Sequence, residues 1–177
     1  LITVLSLAPS ILVMMTSFTR IVVVLSFLRT AMGTQTTPPN QVIMSLALFL
    51  TIFIMMPTLE KSWDQGIRPF IDGEIEEKEA FSKSTAPVRE FMLKHVREKD
   101  LKIFLDASGE GLLEKPSDIP LKTLIPAFMI SELRRAFEIG FLVFIPFLVI
   151  DMVVASVLMS MGMMMLPPII IALPFKI

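Results

Sequence analysis

The chain has 177 residues, of which 54% are hydrophobic and 19% charged, with 16 basic and 17 acidic side chains and a net charge of -1. A charged share below the roughly one quarter of ordinary soluble domains, with a strongly positive mean hydropathy, points to a membrane-embedded or wholly helix-buried protein. The balanced charge gives no electrostatic footprint for nucleic acid, and the lack of cysteine excludes disulfides, thiol catalysis and cysteine-ligated metals without choosing between cytoplasm and periplasm.

The first region, residues 1–57, is apolar. Pro9 and Ser10 give a helix-start signal, and Ile11 to Leu28 is mainly Val, Ile, Leu, Met and Phe, ending before Gly33. "TTPPNQ" then breaks the helix. Asn40 can cap the next one, and Val42 to Met56 supplies roughly 15 apolar residues before Pro57, short of the roughly 20 that span a bilayer unaided. The two segments predict a helical hairpin. On the first helix Thr16, Thr19, Arg20 and Ser26 fall within roughly 120° of one face, which should avoid lipid. An arginine inside such a helix is costly without a carboxylate, carbonyls or water, so Arg20 is expected to face other protein, whereas Arg29 near the helix end suits snorkelling.

Residues 58–120 hold most of the charge. "DGEIEEKEAFSKSTAP" has the composition of a solvated helix and a turn, with Pro87 fitting the first position of the next helix. Val88, Phe91, Met92 and Val96 then share one helical face, and Asp100 is placed to cap a short continuation bearing Leu101, Phe104 and Leu105. So small a polar helical domain has little core of its own, and Phe91 and Phe104 fit either core or subunit contacts equally well. His95 lies among Lys, Arg and Glu with no second metal ligand nearby and reads as an exposed helix residue, while Trp63 fits an interfacial aromatic anchor.

Residues 121–177 begin amphipathic around Glu132, Arg134 and Arg135 and become almost wholly apolar from Ile139, with Asp151 and Lys176 as exceptions. As one helix, Ile139 to Ile171 would extend about 50 Å, longer than a bilayer core of about 30 Å, and Pro167 and Pro168 interrupt it. A second hairpin with "GMMMLPP" at its tip is expected. Counted from that tip at 1.5 Å per residue, Asp151 and Lys176 differ in depth by about 6 Å, which a lysine side chain covers, so a buried charge pair and two separate interfacial charges are both open. Glu132 and Arg135, three residues apart, can form an ordinary helix-surface pair.

"PAFMISELRRAFEIGF", residues 126–141, closely resembles the signature of the FliP family of flagellar type III export-gate proteins, which have counterparts in virulence injectisomes. "MMTSFTRIVVVLSFLRTAMGTQTTPPNQV", "IPFLVIDMVVASVLMSMGMMMLPP" and "IALPFK" are similar to the family in the same order. The chain opens at Leu1 and stops at Ile177 inside an apolar stretch, without the cleavable signal and last helix of a complete member, so its ends read as trimmed. The resemblance implies an all-α, membrane-associated protein of helical hairpins that oligomerises into a pore with FliQ and FliR, contacts other export-apparatus membrane proteins and the flagellar basal body, and passes unfolded flagellar substrates across the inner membrane. It also implies that the polar domain is periplasmic and that most helices sit in the assembly and not as ordinary lipid-facing spans.

By the same resemblance Met163, Met164 and Met165 form the pore gate, and the place of Glu132 and Arg135 in the signature favours a subunit contact, alongside Arg20, Phe91 and Phe104. Methionine suits a gate because it is apolar, unbranched and adaptable, so rings of it can exclude water when idle and yield to varied side chains. Gly162 would let the chain turn and the two prolines would stiffen the exit. No catalytic arrangement, metal-ligand spacing, cofactor motif or nucleic-acid patch is present in the sequence. Alternatives are a virulence injectisome gate subunit or an ion-coupled transporter, although a transporter should repeat its hairpins as related halves and these two share no evident pattern.

Overall fold

The computed structural model describes residues 13–34, 36–109, 119–163 and 167–176, and these are helical throughout apart from their turns and links. Helix α1 spans Phe18–Ala31, α2 Asn40–Ser62, α3 Arg68–Ile71, α4 Glu77–His95, α5 Glu98–Ser108, α6 Leu121–Ser160 and α7 Pro168–Lys176. The fold is all-α, and the continuous rod Asn40–Ile71 and α6 are each long and apolar enough to cross a membrane.

Several starts and stops differ from the sequence expectation. The first helix proper begins at Phe18, after a turn at Met15–Ser17 where the Thr16 hydroxyl donates to the Val13 carbonyl at 3.0 Å. Neither Pro57 nor Pro87 delimits a helix: α2 runs through Pro57 and α4 through Pro87. Each proline removes one backbone donor, but apolar burial along the rest of the helix outweighs that local loss. The rod therefore crosses the boundary drawn at residue 57 between apolar and polar regions. Asn40 is the first residue of α2 and caps nothing; its side-chain oxygen instead accepts from Arg29, which also reaches the Pro38 carbonyl and so ties the two helices across their link.

A π-helical turn, Trp63–Ile67, joins α2 to α3. It ends beside Gly66, which touches α4: a β-carbon there would lie 2.5 Å from the Ser84 nitrogen. The buried side of the rod is a stripe of Ile43, Ala47, Thr51, Met55 and Ser62, whose mostly small residues let α1 and α4 approach. Its other sides carry exposed apolar groups.

The core lies where α4 and α5 meet the first half of α6. Met15, Met92, Leu105, Ile119, Leu124 and Phe128 are its buried members. Helix α6, 40 residues and about 60 Å long, passes through Pro126 and Pro146 without breaking. Its first half also supports α1: Gly140 admits Phe27 so closely that a β-carbon would sit 2.5 Å from the ring, and Phe27 meets Phe137 edge-on at 5.5 Å. Beyond Gly140 the helix buries only Leu158. The chain then turns back through Gly162, whose φ of +72° is a backbone conformation that favours glycine, into α7.

Candidate functional site

Two members of the predicted polar stripe, Thr19 and Arg20, are directed at α6, whereas Thr16 lies in the turn before α1 and the Ser26 hydroxyl donates to the Val22 carbonyl of its own helix. Thr19 lies 3.9 Å from the Met129 sulfur, and the Arg20 guanidinium grips both carboxylate oxygens of Glu132, with Nε to Oε2 at 2.7 Å. Such a fork-on-carboxylate pair is strong because both bonds are charge-assisted and geometrically matched. The Glu132 side chain has no exposed surface and Arg20 is about one quarter exposed, so the carboxylate is enclosed within its own chain. Glu132 thus faces Arg20 and not Arg135, its neighbour at three residues' spacing. Arg135 is half-buried and forms no ion pair among the described residues.

A second polar cluster joins α5 to α6. Asp100 does not cap a helix; it sits in the first turn of α5, buried, with Oδ2 at 2.9 Å from the Ser131 hydroxyl and Oδ1 at 3.4 Å from Arg134. Ser131 in turn accepts the Arg97 backbone N–H at 3.0 Å, and the Arg97 side chain reaches Glu138 at 2.7 Å. Sequence reading missed this cluster. Its one signal was Ser131 directly before Glu132 in an otherwise apolar turn of helix, a polar pair that demands partners when buried.

The aromatic candidates divide between core and surface. Phe91 packs edge-on to Phe128 at 6.0 Å and lies against His95 at 4.4 Å, so it belongs in part to the chain's own core. His95 is half-buried, with Nδ1 2.8 Å from the Phe91 carbonyl, where an exposed residue was expected. Phe104 is half-buried on α5, and Trp63 is half-exposed at the π-helical turn.

The second hairpin brings Asp151 and Lys176 together. Lys176 Nζ lies 2.7 Å from Asp151 Oδ2, and the lysine side chain is 2% exposed. The other Asp151 oxygen is buried without a partner. Gly33, at φ +81°, closes the third side: a β-carbon there would come within 3.8 Å of the ammonium and 3.5 Å of Leu173. Two helices, α6 and α7, and the turn after α1 thus meet at one buried cation. At the tip, Met161, Gly162 and Met163 are exposed, Pro167 precedes α7 and Pro168 opens it; Met164 and Met165 lie outside the described residues.

No group of three or more His, Asp or Glu side chains suited to a metal ion occurs among the described residues. Around the tip and the charge pair the surface is apolar: a groove of about 560 Å³ between α6 and α7 is lined by Val149, Val153, Val157, Ile171 and Phe175 among others. What the hairpin offers is therefore shape and apolar surface supported by paired charge.

Comparison with known proteins settles the lineage. A family model described as the FliP family matches residues 1–177. The chain belongs to the FliP family. It is 59% identical over 177 residues to the flagellar biosynthetic protein FliP of Bacillus subtilis (strain 168), covering 100% of this chain and 80% of that protein. It is 61% identical to the flagellar biosynthetic protein FliP of Caulobacter vibrioides, again over the whole chain but 66% of the relative, and 52% identical to that of Cereibacter sphaeroides over 59% of the relative. The chain therefore spans between about three fifths and four fifths of these relatives. Membership places this FliP-family chain among membrane-associated proteins of flagellar biosynthesis.

Proposed function

We propose that the chain is a pore-forming core subunit of the flagellar type III protein export gate, non-enzymatic, assembling with further copies of itself and with FliQ and FliR at the inner membrane and basal body, and passing unfolded flagellar proteins. The observation that carries this reading is the second half of α6. From Phe141 to Ser160 it buries only Leu158 within its own chain, yet its Asp151 pairs with the buried Lys176 of α7 and the helix leads into a methionine tip. So much exposed apolar surface demands a cover, and neighbouring subunits supply one.

In this reading Met163, Met164 and Met165 from several subunits close the pore, Gly162 provides the turn and Pro167 and Pro168 fix the return strand of the hairpin. The charge pair Asp151–Lys176 keeps α7 docked while the tip yields. Residues 58–120 form the polar, periplasmic part; Phe104 on its surface and Arg135 on α6, each half-buried, remain for contacts between subunits. Phe91, half-buried, divides between core and contact, whereas Arg20 and Glu132 contribute by holding the α1 and α6 faces in register.

Native mass spectrometry of the detergent-purified full-length protein, alone and co-expressed with FliQ and FliR, tests the reading. A defined oligomer tightened by those partners is expected; a stable monomer indifferent to both overturns it. In the assembled complex, alanine at Met163 to Met165 is expected to raise ion leakage with the oligomer intact, and unchanged conductance removes the methionines from the gate.

A further inference from the structure

The rod Asn40–Ile71 and α4 touch where Gly66 of the π-helical turn meets Ser84, and they leave an opening farther along, between Ile54 and His95. The opening is a cleft of about 310 Å³. On the α2 side it is lined by Ile54, Pro57, Thr58 and Lys61, positions that share one helical face, and on the α4 side by Pro87, Phe91, Lys94 and His95, which share another. Glu90 is the one acid in this lining, so the two lysines leave the cleft net positive. Neither Lys61 nor Lys94 forms an ion pair among the described residues; the surface pairs of this region, Lys83–Glu79 and Arg68–Asp72, lie toward the other end of the hairpin.

What surrounds the cleft is ordered by depth. Toward the N-terminus of α2 lies an exposed apolar face that includes Phe49 at 67% and Phe53 at 74% exposure. At the level of the cleft come the two lysines, the acids Glu60 and Glu90, the half-exposed Trp63 and then Asp64, and beyond Gly66 come Arg68, paired with Asp72, and Glu74, Glu76 and Glu77. Apolar surface, then a charged belt with an indole in which the cleft itself is net positive, then an acid-rich segment is a sequence of environments met on leaving a bilayer through its headgroup layer.

We propose that this cleft is a headgroup site for an anionic phospholipid, with its phosphate between Lys61 and Lys94 and its acyl chains along the exposed face of α2. Two unpaired ammonium groups over an apolar floor of Pro57, Pro87 and Phe91 suit a phosphodiester, whose negative charge the lysines neutralise as point charges while the prolines offer no competing donors. A zwitterionic headgroup brings its own cation into the same cleft and gains less. The site stands apart from the methionine tip and does not depend on the gate reading.

The test uses delipidated, detergent-purified full-length protein titrated in parallel with phosphatidylglycerol and phosphatidylcholine, with bound lipid counted by native mass spectrometry. Phosphatidylglycerol is expected to bind about twenty-five-fold more tightly, from roughly a fivefold gain per lysine. The double substitution Lys61→Gln with Lys94→Gln should abolish that preference, while Lys78→Gln with Lys83→Gln keeps it. Both pairs are surface lysines, so helical circular dichroism should be unchanged. Equal binding of the two lipids by the native chain, or an undiminished preference in the Lys61/Lys94 variant, overturns the site. Displacement of the lipid by equimolar inorganic phosphate also overturns it, by marking a free-anion site, as does an oligomer that carries no phosphatidylglycerol at saturating lipid because a second copy covers α2.

Discussion

The two halves of α6 are one continuous helix with opposite fates. From Leu121 to Gly140 the helix buries eight residues, among them Thr123, Leu124, Phe128, Ser131 and Glu132, against α1, α4 and α5; from Phe141 to Ser160 it buries Leu158 alone. The first half is also where the chain spends its polar contacts, on Arg20, Asp100 and Arg97. The second half is more apolar and yet less enclosed. Apolar sequence therefore says that a surface must leave water, and the number of neighbouring elements decides whether this chain can do it alone.

The widest separation between the halves is expected from paired phenylalanine truncations. Phe128→Ala, at a site with no exposed surface, should cost about 4 kcal/mol of stability in detergent, whereas Phe141→Ala, 64% exposed, should change the isolated chain by less than about 0.5 kcal/mol and weaken assembly instead. Equal losses from the two would erase the contrast. Next in size, Arg20→Met strands the enclosed Glu132 carboxylate and should lower the denaturant midpoint by the equivalent of about 3 kcal/mol. The double change Arg20→Met with Glu132→Leu should recover most of it, and failure to recover would mean that the pair sets helix register rather than only balancing charge.

The smallest effect sharpens the comparison within the second half. Asp151→Lys with Lys176→Asp keeps both charges and their 2.7 Å neighbourhood, and should leave a deficit of about 1–2 kcal/mol, against larger losses for either single change. The residual deficit is expected because the lysine's neighbours at Gly33 and Leu173 leave a void around a shorter acid. Purely additive losses, measured by oligomer yield on native mass spectrometry, would show that the two charges act separately.

Much of this arrangement is legible in the sequence, and the features that are not share a cause. The stripe of Thr16, Thr19, Arg20 and Ser26 reads as a face turned from lipid because polar side chains recur at helical spacing, and the structure directs Thr19 and Arg20 at α6 while Thr16 falls in the turn before α1. Counting residues from the methionine tip puts Asp151 and Lys176 about 6 Å apart in depth, within the reach of a lysine side chain, and they lie in contact. The identity of the acid facing Arg20, 112 residues away, has no local signal. Pro57 and Pro87 read as boundaries because proline withdraws a donor, yet both lie inside helices whose remaining turns are held by neighbours. Asp100 reads as a cap by local chemistry and is claimed by Ser131 and Arg134 from another helix.

The sequence by itself determined that this protein is helical, membrane-associated and of the FliP family, because hydrophobic periodicity, helix breakers and the signature segment are properties of neighbouring residues along the chain. Only the tertiary structure decided which charge meets which, where a proline is tolerated and which half of α6 is left uncovered. Those outcomes depend on the free energy of contacts between segments far apart in sequence, where a buried carboxylate or a missing β-carbon acquires its meaning from the atom placed opposite it.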